Sequence, residues 1–74
     1  MTKLIYVRLL DEGTSVYRPI PAQQISENTF AIGGEDLYDP QTETWEFLPG
    51  SLVLAENRIF SDGEYLIAVT QAKP

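Results

Sequence analysis

The sequence predicts an all-β domain: a small open barrel of five or six short antiparallel strands. An SH3-like topology is the first expectation, and two stacked sheets are the alternative. Three observations predict this class. Turn-forming groups recur roughly every ten residues, at Asp11-Glu12-Gly13, Ser26-Glu27-Asn28, Gly33-Gly34, Asp39-Pro40, Pro49-Gly50 and Asp62-Gly63. Between them apolar residues alternate with polar ones, the period of a half-buried strand. Helical patterning is confined to residues 22–27, room for a single turn.

The elements follow in order. Residues 3–10 place Ile5, Val7 and Leu9 on one face and Tyr6 and Arg8 on the other. Next, Val16, Arg18 and Ile20 alternate with Tyr17, Pro19 and Pro21. The two prolines have no N–H for a ladder, so this strand is expected to end, or to lie at an edge, near them. Phe30 and Ile32 mark a short third strand, and residues 43–48, with Trp45 and Phe47 on one face, a fourth. A β-prone run follows at 51–56. Ser61-Asp62-Gly63-Glu64 is a tight-turn signal joining Arg58-Ile59-Phe60 to a last strand at 65–70.

The chain has eight aromatic residues, and a sequence this short needs most of them to bury enough area. Phe30, Phe47 and Phe60 are the core expectations. Tyr17, Tyr38 and Trp45 lie beside prolines, turns or acids and are candidates for partial exposure, with packing still the favoured role of each. Arg8 and Arg18 are expected to pair across strands with acids such as Glu46 or Glu56.

Composition narrows the function classes. Seventy-four residues make one domain, 1–74, near the lower size limit for unaided folding. The chain has no cysteine, which excludes disulfides, thiolate metal sites and thiol nucleophiles. It has no histidine, the commonest general base and nitrogen ligand. The serine hydroxyls therefore lack an activating imidazole, and a barrel this small fills its own interior, leaving no cleft for paired carboxylates to enclose a sugar. No enzyme activity and no cofactor is expected. No apolar run approaches the length that spans a bilayer, and the natural reading is a soluble, cytoplasmic protein.

The net charge of −6 is unevenly spread. Residues 27–64 hold nine acids and one base, a net of −8, and the flanks carry +2. Such a centre disfavours contact with nucleic acid or an anionic membrane and favours a basic protein partner.

Two stretches resemble known families. Tyr38-Asp39-Pro40-Gln41-Thr42-Glu43-Thr44-Trp45, with Ile32-Gly33-Gly34 before it, resembles part of a kelch propeller blade. A coincidence is the reading adopted, because too few residues separate Gly34 from Tyr38 and no second copy exists. What it implies physically is a hairpin, with Asp39-Pro40 presetting the turn, Thr42 hydrogen-bonding within it and Trp45 packing on its neighbours. Val16-Tyr17-Arg18-Pro19-Ile20-Pro21-Ala22 together with Trp45-Glu46-Phe47-Leu48-Pro49-Gly50 resembles a group of small bacterial proteins of unassigned function. That resemblance implies a bacterial or phage origin and no particular activity.

The acidic run 35–43 lacks the spacing of a twelve-residue calcium loop, so no metal is expected there. The functional expectation is a non-catalytic protein-binding module with an acidic, aromatic-edged docking surface. Its candidate partner-binding residues are Tyr38, Trp45, Tyr17, Glu35, Asp36, Asp39 and Glu43. One alternative is an inhibitor of phage or plasmid type that imitates nucleic acid and blocks a basic nuclease. Another is a small barrel that itself binds nucleic acid by stacking bases on exposed aromatics.

Overall fold

A computed structural model describes residues 2–10 and 16–72. The turn expected at Asp11-Glu12-Gly13 lies outside the described residues. Five strands are present: β1 (Thr2–Leu9), β2 (Val16–Gln24), β3 (Thr29–Ile32), β4 (Leu52–Phe60) and β5 (Gly63–Gln71). They neighbour one another in chain order and close into a barrel. Each consecutive pair is antiparallel, while the closing contact of β1 with β5, Tyr6 opposite Ile67, is parallel. The expected barrel is thus present with five strands, and it is closed rather than open.

Alternation decides what the barrel encloses. Ile5, Val7 and Leu9 of β1 point inward, joined by Ile20, Ala22, Phe30, Ile32, Val53, Ala55 and Ala68. These side chains are buried, and no buried polar side-chain atom lacks a partner among the described residues. Phe30 fulfils its core expectation, and Phe47 packs half-buried against the cluster. Phe60 does not: it is 43% exposed.

Two local expectations are overturned. Residues 22–27 form no helical turn. Ala22, Gln23 and Gln24 extend β2 and pair with β3, and Ile25 and Ser26 donate backbone hydrogen bonds to Thr29 O at the bend that follows. Burial of Ala22 between two neighbouring strands outweighs its local preference. Residues 43–48 are likewise no strand. Only Trp45 forms an isolated bridge, to Leu9, flanked by hydrogen bonds from Leu10 N to Thr44 O and from Glu46 N to Arg8 O.

The prolines of β2 sit where the ladder can spare them. β1 pairs with β2 along its whole length, whereas β3 reaches only Ala22–Gln24. At Pro19 and Pro21 the second side of β2 has no strand, so no ladder donor is lost, as the edge expectation required. Pro21 O accepts instead from Gly33 N at 2.9 Å.

Candidate functional site

Residues 33–51 connect β3 to β4 and carry the acidic run 35–43. Their backbone is tied down locally: Leu37 N and Tyr38 N donate to Gly34 O, and Thr42 N and Glu43 N donate to Asp39 O. Asp39 Oδ1 accepts from Gln41 N at 3.0 Å, and Thr42 Oγ1 donates to Asp39 O at 3.1 Å. The turn expected at Asp39-Pro40 therefore exists, with Thr42 bonded inside it, but no pair of hairpin strands flanks it.

The glycine pair at the start of this segment has a steric reason. A Cβ on Gly33 would lie 2.8 Å from Pro21 O. Gly34 has φ +78°, and a Cβ there would meet Ile20 Cγ2 at 3.1 Å and the Trp45 ring at 3.3 Å. Only residues without side chains let the segment turn this close to the barrel.

Trp45 is the product of that turn. It is 2% exposed, packed among core residues, with Tyr38 edge-on at a ring separation of 4.9 Å. Its indole Nε1–H donates to Glu43 Oε1 at 3.1 Å, and the same oxygen accepts from Arg18 Nη1 at 2.6 Å. The Arg18 guanidinium stands 6.0 Å from the centre of the Trp45 ring. The hydrogen bond from Trp45 and then that from Arg18 hold the Glu43 carboxyl below the usual carboxylate range, against a smaller opposing effect of burial.

The expected site residues therefore separate into three places. Trp45, with Tyr38 and Glu43, is structural, and the expectation of partial exposure for Trp45 is corrected: a large ring beside a closed barrel buries more area inward than it could at a rim. Glu35, Asp36 and Asp39 stay exposed on the loop, with Leu37 exposed between them. Tyr17 lies elsewhere. The arginine pairing is also revised, since Arg18 bonds Glu43 and Arg58 bonds Glu56, rather than Arg18 meeting Glu46 or Glu56.

Tyr17 belongs to a second surface that sequence reasoning did not assemble. Past the slip in β4–β5 register at Leu54/Ala55, Glu56–Phe60 of β4 are all exposed, and a two-residue turn at Ser61-Asp62 leads back into β5. Beyond that shift the outer part of the hairpin forms an arm whose β4 residues face solvent. Its rings meet those of β1 and β2: Tyr6 touches Tyr65 at 4.9 Å, Tyr65 touches Phe60 at 5.8 Å, and Phe60 touches Tyr17 at 6.4 Å. With Asp62 and Ile67 they line an open groove of about 600 Å³. Asp62 accepts a hydrogen bond from the Tyr65 hydroxyl and, with its charge, raises the Tyr65 pKa. The signal available in the sequence was the placement of Tyr6 opposite the core face of β1.

No cluster of three or more potential metal ligands occurs among the described residues, and none of their helices is long and apolar enough to cross a membrane. Neither a protein-family model, nor a curated protein, nor a solved structure matches this chain.

Proposed function

We propose that this chain is a non-catalytic, cytoplasmic binding module that docks on a basic protein partner. The observation that carries the reading is the state of the acids on residues 33–51. Glu35, Asp36 and Asp39 face solvent on a backbone held by its own turn hydrogen bonds, while the neighbouring acid Glu43 is occupied by Arg18 and Trp45. Fixed, solvent-facing carboxylates attract a cationic surface without the entropic cost of ordering a loose loop on binding. The lack of histidine and cysteine supports a binding role over a catalytic one.

The test is charge reversal at Glu35, Asp36 and Asp39 together, to lysine. These positions are exposed, so circular dichroism and the melting midpoint are expected to stay near those of the parent. Capture of a basic protein from a bacterial lysate at low salt is expected to be lost in the variant and lost from the parent at high salt. Unchanged capture by the folded variant would refute the reading.

A further inference from the structure

Resting on the reading of a basic partner, we propose that the groove between the β4–β5 arm and the β1–β2 hairpin is where that partner inserts an arginine side chain. Four aromatic rings, Tyr6, Tyr65, Phe60 and Tyr17, run in unbroken contact along the groove, and Asp62 provides a carboxylate in the same wall. The faces of such rings carry partial negative charge and attract a cation laid over them. A guanidinium is planar and weakly hydrated, so it stacks on a ring while its N–H groups reach a carboxylate; an ammonium does the first less well.

The chain holds the same combination elsewhere, filled by its own cation. Around Trp45 the Arg18 guanidinium stands over a ring and donates to the Glu43 carboxylate. The groove presents rings and a carboxylate, and among the described residues none that lines it is basic. Of the nearby bases, Arg58 lies opposite Tyr65 in register but is bonded to Glu56 at 2.6 Å. Arg8, opposite Tyr17 in register, is exposed and is not among the residues that line the groove. Complementarity of charge and shape thus selects a cationic, flat group over an anionic or a purely apolar one.

The experiment is an NMR titration of the whole chain with a short peptide of alternating arginine and glycine, and with its glutamate counterpart. Saturable shifts of the Tyr6, Tyr17, Phe60 and Tyr65 ring signals by the arginine peptide alone are the expected result. Asp62→Asn is expected to weaken that binding about 1.5- to fivefold, the range for one exposed charge pair. A variant with Glu35→Gln, Asp36→Asn and Asp39→Asn is expected to keep the ring shifts. Shifts centred on residues 35–39, abolished by the triple variant and indifferent to Asp62→Asn, would overturn the groove while leaving acidic docking intact. No shift in either region, or equal shifts with the glutamate peptide, would overturn both.

Discussion

Two aromatic regions of this small barrel use the same residue types in opposite ways. Around Trp45 the ring is taken inward, its N–H is satisfied by Glu43, and a glycine has made room for it. On the β4–β5 arm, Phe60 and Tyr65 lie beyond the core, and their rings lean on Tyr17 and Tyr6 from outside. The first region closes the molecule; the second presents it. Whether an aromatic residue is structural or available depends on what the backbone around it can reach, and neighbouring acids or prolines do not decide it.

The comparison is broken most directly at Trp45. Trp45→Ala is expected to cost about 3–5 kcal/mol in urea unfolding, the range for emptying a large buried ring position. That is a large share of the total stability of a domain this size. A loss comparable to that of an arm residue would mean the two regions are alike. Gly34→Ala should cost about 1–2 kcal/mol by the same measurement, because its φ of +78° and two close neighbours both resist a Cβ.

Glu43→Gln is expected to cost about 1 kcal/mol near neutral pH, since the charged acceptor of Arg18 and Trp45 is replaced by a neutral amide. Its pH dependence sharpens the point. The Glu43 carboxyl is held below its ordinary value of 4.5, so its contribution is fully present above that value and is lost as pH falls through the lowered one. The parent's stability should therefore decline on acidification in that window, and the variant's should decline less. Equal acid profiles would show that the carboxylate is not engaged in solution. On the arm, Phe60→Ala should also cost about 1 kcal/mol, because it removes ring contacts with Tyr17 and Tyr65. Smallest of all, Ile59→Ser, at a position 83% exposed, should change stability by about 0.5 kcal/mol or less.

Much of the barrel was legible in the sequence. The alternation of Ile5, Val7 and Leu9, and the tight turn at Ser61-Asp62, are local signals, and local signals survive into the structure. Residues 22–27 and 43–48 misled because their outcome depends on distant partners. Ala22 is claimed by β1 and β3 at once, and Trp45 by a core to which all five strands contribute. Phe60 misled because its apolar character says nothing about its place at the exposed outer end of the β4–β5 hairpin.

The candidate site was legible only in part. The exposed acids Glu35, Asp36 and Asp39 follow from composition and turn chemistry. The groove does not, since Tyr6, Tyr17, Phe60 and Tyr65 come from four strands and meet only where β1 and β5 close the barrel. Gly33-Gly34 was read as part of a motif, and its role is steric room against Pro21, Ile20 and Trp45.

The single parallel contact between β1 and β5 also bears on how the chain acquires its structure. Every other neighbouring pair of strands is consecutive and can form as soon as both members have been synthesised, but Tyr6 must wait for Ile67. A nascent chain emerging in order would hold β1 to β4 as an unsealed sheet, with one side of Ile5 and Val7 uncovered, until β5 arrives. Contacts between the two extremes of a chain are also those that slow folding most. For a chain that pairs its strands in the order of synthesis, closure is the last pairing, and the unsealed sheet before it is the form most open to misassociation.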